Sequence, residues 1–356
     1  MKNKISLLKM NVERYIDLIL FIGLFFVPFI LSEFNMLIAG RFMVYMIFAM
    51  SLDILWGSAG LMNLGHAVFF GIGGYIMAIC LASQNGIPSY MQMNGISEMP
   101  GWVKVLTNIP FAFMLAILVP MAFAVIMGVF MFTGKIRGIF YNVITLALAA
   151  LLELLVNNRQ AITGGTNGIG GVAKVRLFGI ELTGVNLYYF VFIMLILSYL
   201  FCRWLMSRRF GMVINSIRDN EDRIRFLGFN AGYFKIAVYA IAAGLAGFAG
   251  VLYVPVNSFI SPERVGAAFS TSVLVWVAVG GRGNLTGAMV GALLINILET
   301  VLSNRFGSSW QMVLGIVLIV ILMFFPKGII GTLKEKQYNR RAAKTMSNTF
   351  ADKKTA

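Results

Sequence analysis

The sequence predicts an all-α polytopic membrane protein with about ten transmembrane or partly spanning helices and both termini in the cytoplasm. Of its 356 residues, 59% are hydrophobic and only 12% are charged, whereas about a quarter of the residues in a soluble domain are charged. A soluble protein with so little polar surface would precipitate. A disordered chain has few aromatic residues, but here they make up 13%. The composition therefore excludes the soluble and the disordered classes.

Ten apolar segments approach or reach the length of a membrane span, for which a helix needs about 20 residues. They are Ile16–Leu31, Phe42–Trp56, Ala67–Ala82, Ile109–Phe132, Ile139–Val156, Leu187–Leu205, Ile236–Pro255, Phe269–Val279, Leu285–Leu302 and Trp310–Phe325. Phe269–Val279 is too short to cross alone, and such helices are tolerated where they pack within protein or line a cavity. An arrangement of eight spans with two re-entrant segments is the alternative, and it also leaves both termini on one side.

The net charge of +15 is explained better by orientation in the membrane than by binding to nucleic acid. With the N-terminus in the cytoplasm and alternating spans, 22 of the 29 Lys and Arg residues fall on the cytoplasmic side, as the positive-inside rule predicts. The chain then divides into a cytoplasmic N-terminal segment (1–15), a transmembrane domain (16–326) and a basic cytoplasmic tail (327–356).

Small residues are concentrated in three segments. In Trp56–Tyr75, glycines occur where the backbone is expected to turn, and three more follow inside a helix. Two interpretations stay open there: close helix packing alone, or a broken helix on the substrate path. Val279–Gly291 combines a turn with a GxxxG pair, and Ile236–Pro255 repeats small residues at four-residue spacing. Both patterns are typical of tightly packed membrane helices.

The most charged interior segment, residues 207–234, is predicted to lie in the cytoplasm. Met212–Arg218 is predicted to form a short helix. Asp219 or Asn220 can cap the start of a second helix, and Gly228 can end it. This segment therefore has its own local structure rather than being a simple connection.

Within the same segment, Glu221 and Arg225 have the i,i+4 spacing of a helical ion pair. Ile224, Leu227 and Phe229 are too many apolar side chains to bury in so small a loop, so we expect them to need a partner surface. That surface is either a soluble protein or, as the alternative, the membrane on which two amphipathic turns would lie.

Acidic residues within apolar segments are candidates for function. Glu153 lies inside the fifth span, where it serves either function or internal structure. Asp53 lies near the inner end of the second span, beside the glycine-rich turn. Asp17 and Glu299 are closer to helix ends and are expected to reach the membrane interface.

A histidine and a polar loop are further candidates for function in or near the apolar segments. His66, the only histidine, is expected to be a structural hydrogen-bonding residue, with a proton relay as the alternative. The loop Thr163–Gly168 offers backbone amides and hydroxyl groups but few charges. Such a loop suits a small neutral or zwitterionic solute.

Several motifs are absent from the sequence. It contains neither a phosphate-binding loop nor the motifs of zinc proteases and serine hydrolases. Cys80 and Cys202 lack the spacing of a disulfide framework or a zinc site. We therefore expect a protein that is not an enzyme and that has no catalytic residues, no metal and no cofactor of its own.

Four motifs resemble branched-chain amino acid ABC transporter permeases. Asn63–Tyr75 resembles the family signature Leu-Gly-His-x-x-Phe-Phe-Gly-x-Gly-x-Tyr. Thr163–Ile169 is similar to the family's Thr-Gly-Gly-x-x-Gly loop, Arg218–Asn230 to its cytoplasmic coupling segment, and Phe325–Gly331 to its closing segment. The resemblance extends from about residue 50 to residue 331.

The resemblance divides between two branches of the family. Ser261–Arg264, Val275–Gly283 and the Phe-Pro-Lys-Gly ending look most like the urea permease of the C type, whereas Thr163–Ile169 looks more like the amino-acid branch. The main prediction is a permease for urea or short-chain amides, and the alternative is one for leucine, isoleucine or valine. A stand-alone channel or secondary transporter is a third hypothesis.

The resemblance also implies partners and a location. These are a homologous second permease that completes a heterodimer, two ATPase subunits that bind ATP and Mg²⁺, and an extracytoplasmic solute-binding protein. The chain would lie in the bacterial cytoplasmic (inner) membrane, surrounded by lipid, and would not bind nucleic acid.

Residue roles follow from the same interpretation. The predicted ATPase-coupling residues are Arg218, Asp219, Glu221, Arg223, Ile224, Leu227, Gly228 and Phe229. Ile224, Leu227 and Phe229 would be the apolar contacts that transmit closure of the ATPase subunits. The candidates for the substrate pathway are Asn63, Gly65, His66, Phe69, Phe70, Glu153, Thr163, Thr166 and Asn167.

Overall fold

The computed structural model describes residues 2–306 except 135, 137, 178 and 179, together with parts of 312–332. The described residues are mainly helical, which confirms the all-α prediction. The helices are α1 (Lys2–Ile30), α2 (Glu33–Leu52), α3 (Ala67–Ala82), α4 (Ser89–Met93), α5 (Gly101–Leu106), α6 (Ile109–Thr133), α7 (Ile139–Asn158), α8 (Gln160–Thr163), α9 (Gly184–Ser207), α10 (Arg209–Asp219), α11 (Glu221–Phe226), α12 (Ala231–Asn257), α13 (Ala267–Gly280) and α14 (Leu285–Phe306).

Short irregular elements join the helices. A π-helix (Asp53–Ser58) continues α2, and 3₁₀ turns occupy Gly165–Asn167 and Pro262–Arg264. The strands are β1 (Ile169–Gly170), β2 (Arg176–Leu177), β3 (Ile180–Glu181) and β4 (Phe259–Ile260). β1 pairs with β4 and β2 with β3, both antiparallel. The β1–β4 pair ties the loop after α8 to the loop between α12 and α13.

Six helices of the described part of the chain are long and apolar enough to cross a membrane. They are Glu33–Ser58, Ile109–Thr133, Ile139–Asn158, Gly184–Ser207, Ala231–Asn257 and Leu285–Phe306. Two shorter apolar helices, α3 and α13, match the short segments predicted from the sequence. The first predicted span falls within α1, whereas most of the tenth, Trp310–Phe325, and most of the basic tail lie outside the described residues.

The centre of the bundle is formed by α2 and α12, whose apolar residues are largely buried within the chain itself. α12 packs against α2, α3 and α6. In contrast, most of the α6 and α7 surfaces are exposed apolar side chains. Such a surface suits contact with lipid or with another apolar protein surface.

Glycines allow α3 and α12 to pack so closely that their backbone atoms are in contact. A Cβ atom at Gly250 would overlap the carbonyl oxygen of Phe70, and one at Gly73 would overlap the carbonyl oxygen of Gly247. The same arrangement recurs where α13 meets α14, because a Cβ at Gly280 would overlap the carbonyl oxygen of Gly287. The predicted close packing of the glycine-rich segments is therefore confirmed, and their place on a substrate path stays a prediction.

Asp17 is buried, so the expectation that it reaches the membrane interface is wrong. Its exposed fraction is 5%, and it accepts hydrogen bonds from the hydroxyl of Tyr199 and from Oγ1 of Thr286, the latter at 2.6 Å. Arg203 Nη1 lies 3.6 Å from its Oδ2. The carboxylate thus joins α1, α9 and α14, and those partners compensate for its removal from water.

Candidate functional site

The two short helices α3 and α13 both begin inside the bundle. The π-helix after α2 ends at Ser58, and the chain returns inward through residues 59–66 to start α3. The backbone N–H of Ala67 donates to Oγ of Ser270 at 2.9 Å, and both residues are fully buried. Two helix N-termini therefore meet in the protein interior, an arrangement that transporters use where broken helices line a binding site.

His66 precedes α3 and is held by both ring nitrogens. The hydroxyl of Ser51 donates to the carbonyl oxygen of Phe48 at 2.6 Å, so it accepts from Nε2 of His66 at 2.8 Å. That bond assigns the ring proton to Nε2 and leaves Nδ1 as the acceptor for Asn63 Nδ2 at 3.4 Å. The Phe48 ring stacks on the imidazole at 5.4 Å. This network favours the structural role of His66 over a proton relay.

The other predicted pathway residues of this region are equally buried. Leu64 N–H donates to Oγ1 of Thr145 at 3.2 Å, and a Cβ at Gly65 would overlap the carbonyl oxygen of Thr145. Helix α7 therefore crosses directly over the loop. Phe69 and Phe70 have 0% exposure and pack among other aromatic rings. Their assignment to a substrate pathway stays a prediction.

Glu153 on α7 is half-buried and lies against the start of α13. A Cβ at Gly266 would overlap the Glu153 carboxylate, so a larger residue there would require the Glu153 side chain to move. Gly266 directly precedes α13, whose N-terminal end carries the positive end of the helix dipole. The carboxylate thus has a favourable structural environment, which is compatible with both roles considered for it.

The predicted solute loop lies at the end of α7 and α8. Thr163 Oγ1 donates to the carbonyl oxygen of Val156 at 2.6 Å, whereas Thr166 and Asn167 are exposed. In the nearby β2–β3 hairpin, Arg176 Nε donates to Glu181 at 3.0 Å and lowers the pKa of that carboxyl. The assignment of the loop residues to a substrate pathway stays a prediction.

A second cluster, which we call the junction, joins the turn that follows α2, the turn between α13 and α14, and helix α10. It consists of Asp53, Gly57, Arg218 and Gly283. Asp53 is 1% exposed and its Oδ1 accepts the backbone N–H of Gly283 at 2.7 Å. Arg218 Nη1 donates to the carbonyl oxygen of Gly57 at 2.6 Å. The junction therefore connects α10 with the end of α2 and with the α13–α14 turn.

Removing the Asp53 carboxylate tests the junction. We expect Asp53→Ala to lower the stability of the folded chain by about 1 kcal/mol, because the hydrogen bond from the backbone N–H of Gly283 to the Asp53 carboxylate is lost. Asp53→Asn keeps an acceptor oxygen and should cost less. Thermal unfolding of the purified chain in detergent measures both variants. An Asp53→Ala variant as stable as the wild type would contradict this role.

The segment 207–234 has the predicted local structure. α10 covers Met212–Arg218, and Asn220 caps α11 by accepting the backbone N–H of Arg223 at 3.0 Å. Gly228 follows α11 with φ of +85°, a backbone conformation that favours glycine. These observations confirm the caps predicted from the sequence.

The predicted ion pair of α11 is also present. Glu221 Oε1 accepts from Arg225 Nη2 at 2.8 Å. Its Oε2 accepts from Nζ of Lys235 on α12 at 2.7 Å, a contact that the sequence analysis did not include. The Arg225 pair lies within α11, whereas the Lys235 contact holds α11 against the first turns of α12.

The expectation that Ile224 is an exposed apolar contact is wrong. Ile224 is 7% exposed and packs against Ile217 and Ala231, because α11 folds onto α10 and α12. Leu227 and Phe229 are exposed at 67% and 45%, as predicted. Phe226, which the sequence analysis missed, is 91% exposed. The helical period from Ile224 could have revealed it, since residues two apart lie on different helix faces.

Phe226, Leu227 and Phe229 therefore form an exposed apolar surface beside charged Arg223 and Arg225. We call these three residues the coupling surface, and the end of the bundle that carries it the coupling end. An apolar patch with a charged rim is typical of a protein-binding site.

Comparison with known proteins shows the family of this chain. The family model described as "Branched-chain amino acid transport system / permease component" matches residues 35–323. The chain belongs to the branched-chain amino acid permease family. It is a multi-pass membrane permease component, and its relatives are transport proteins rather than enzymes.

Individual relatives of this permease agree with the family. The high-affinity branched-chain amino acid transport system permease protein LivM of Salmonella typhimurium is 27% identical over 85% of this chain and 71% of its own length. LivM of Escherichia coli is 26% identical over the same shares. The corresponding protein LivH of Escherichia coli is 24% identical over 86% of this chain and 96% of its own. No solved structure matches the permease.

These relatives bear on the predicted solute. The family description and the names of all three relatives refer to branched-chain amino acids. The urea prediction has no support among them. The alternative solute, a branched-chain amino acid, fits the family better.

Proposed function

We propose that this permease is the membrane-spanning subunit of an ABC importer for branched-chain amino acids, in which separate subunits hydrolyse ATP. The observation that carries the proposal is the coupling surface, which is exposed and apolar. It lies at the end of α11, next to α10, which the junction ties to the bundle. An ATPase docked there would act on α2 and on the α13–α14 turn through Arg218. The family and the relatives support the class of solute.

The assembly proposed here follows from the same features. Escherichia coli has two relatives of this chain, LivM and LivH, each named a permease protein of the same transport system. A homologous second permease would cover one of the exposed apolar helix faces. Two ATPase subunits, which themselves bind ATP and Mg²⁺, would dock at the coupling ends of the two permeases. A binding protein would deliver the solute from outside. Both termini would then lie in the cytoplasm.

Uptake by the assembled transporter tests this proposal. The permease is reconstituted into proteoliposomes with the second permease, ATPase subunits and binding protein encoded beside it. We expect uptake of labelled leucine that requires internal ATP, because the transport cycle depends on nucleotide-driven change between two states. Urea at the same concentration should not be accumulated.

The permease alone provides the control. In liposomes without the ATPase subunits it should take up no leucine against a gradient. Gradient-driven uptake by the permease alone would instead support the stand-alone transporter. ATP-dependent uptake of urea without leucine uptake would favour the urea branch.

A further inference from the structure

A cavity of about 310 Å³ lies between α2, α13 and α14. Its volume is close to the lower end of the range of about 300–1,000 Å³ for small-molecule sites. Phe34 at the start of α2 and Asn304 at the end of α14 are exposed residues of its wall. The cavity therefore opens where α2 begins and α14 ends. The coupling end is at the opposite end of the bundle, where α2 ends and α14 begins.

Three charged side chains line this cavity, and each comes from a different element. They are Arg41 of α2, Arg264 just before α13, and Glu299 of α14. Both arginines are close enough to Glu299 to act on it electrostatically. Among the described residues, however, none of the three makes an ion pair within 4 Å.

The two arginines are held in different ways. The guanidinium carbon of Arg264 lies 4.8 Å from the centre of the Phe269 ring and 5.5 Å from that of Tyr253. These aromatic contacts orient the guanidinium plane. Arg41 has a buried Nε with no hydrogen-bond partner in the described structure. At least one donor of the cavity is thus unsatisfied.

Charges removed from water are costly unless they are paired. Two guanidinium groups and one carboxylate that line one cavity without pairing with each other therefore indicate a ligand that carries both a negative and a positive charge. Guanidinium groups bind carboxylates through parallel hydrogen bonds, and a carboxylate binds an ammonium group. The charge pattern of Arg41, Arg264 and Glu299 matches a zwitterion.

The rest of the wall combines polar side chains (Ser272, Asn296, Thr300, Ser303 and Asn304) with an aromatic part. Phe42, Tyr45, Phe269 and Trp276 are each less than 8% exposed. The rings of Tyr45 and Trp276 lie 5.0 Å apart. Such a surface suits an aliphatic side chain, which urea does not have.

We propose that this cavity binds the zwitterionic form of an α-amino acid with an apolar side chain. Arg41 and Arg264 bind its carboxylate, and Glu299 binds its ammonium group. This inference rests on the proposed function and specifies the site at which the solute enters the permease. Arg41 lies about 24 Å before Gly57 of the junction along α2 and the π-helix that continues it. The cavity therefore faces the extracytoplasmic side when the coupling end faces the cytoplasm.

Photo-crosslinking tests the site on the full-length permease in phosphatidylcholine nanodiscs. The probe is L-photo-leucine, whose diazirine replaces part of the leucine side chain. We expect crosslinked peptides from the aromatic wall, around Tyr45 and Trp276. Excess leucine should suppress this labelling, and urea should not.

Ligand analogues and charge variants test the assignment of each group. Leucinamide lacks the carboxylate and 4-methylpentanoate lacks the ammonium group, so each should compete about ten-fold more weakly than leucine or worse. Glu299→Gln and Arg264→Gln should weaken labelling by a similar factor. Glu263→Gln is the matched control, because Glu263 is exposed and does not line the cavity. The analogues do not depend on how a variant folds.

Three results would overturn the proposal. They are labelling that leucine does not suppress, labelling that maps outside α2, α13 and α14, and displacement of the probe by phosphatidylglycerol, which would identify a lipid headgroup site. If any of these occurs while the assembled transporter takes up leucine with ATP, the proposed function stands without this site. If the cavity is labelled specifically but the transporter accumulates no amino acid, the proposed function fails instead.

Discussion

Leu227→Asp is expected to abolish solute-stimulated ATP hydrolysis by the assembled transporter while leaving membrane insertion of the permease intact. Leu227 is 67% exposed and lies between Phe226 and Phe229 on the coupling surface. A charge at this position would be buried without a partner when an ATPase docks, which costs several kcal/mol in an apolar interface. ATPase activity is measured with the binding protein present, before and after addition of leucine.

Two further variants show whether the effect belongs to the interface. Leu227→Met keeps an apolar side chain and should retain most of the stimulated activity. Ile224→Asp should instead destabilise the permease itself, because Ile224 packs against Ile217 and Ala231. Unchanged ATPase activity and uptake in Leu227→Asp would refute the assignment of the coupling surface.

Gly250→Ala is expected to impair folding of the permease strongly. The added Cβ would overlap the carbonyl oxygen of Phe70 and crowd the backbone of Gly74, and backbone atoms cannot move aside as a flexible side chain can. The crossing of α3 and α12 would have to widen. We expect a loss of about 3 kcal/mol, visible as a lower unfolding temperature and a lower yield of monodisperse protein.

Gly23→Ala is the matched control for this substitution. It also lies in an apolar helix, α1, but a Cβ there would meet no atom within 4 Å. Its stability should equal or slightly exceed that of the wild type, since alanine favours helix more than glycine does. Equal stability of Gly250→Ala and the wild type would contradict the close helix crossing.

Local features of this permease were predictable from the sequence because they depend on neighbours in the chain. The length and apolar composition of a segment decide whether it can span a membrane, so the predicted spans agree with the helices wherever the structure describes them. The Asn220 cap and the Glu221–Arg225 pair involve residues three and four apart. The motif at Asn63–Tyr75 was sufficient to indicate the family, although the preference for urea was not supported.

The burial of individual side chains was harder to predict. Ile224 and Asp17 both appeared free to reach a surface. The neighbouring helices α10 and α12 fold over Ile224, and helices remote in sequence cover Asp17. Asp17 meets Thr286, which is far along the chain, and no periodicity of α1 reveals that contact. Phe226 was overlooked although it lies two residues after Ile224 and therefore on a different face of α11.

The sequence by itself thus determined that this chain is a helical membrane permease, where its spans lie, and that residues 207–234 form a capped, charged segment. These properties follow from composition and short-range spacing. Only the tertiary structure decided which residues share a site. The junction joins Asp53 to Gly283, and the cavity joins Arg41, Arg264 and Glu299. Such groups meet because helices cross at particular glycines, and the crossing geometry depends on the packing of the whole bundle.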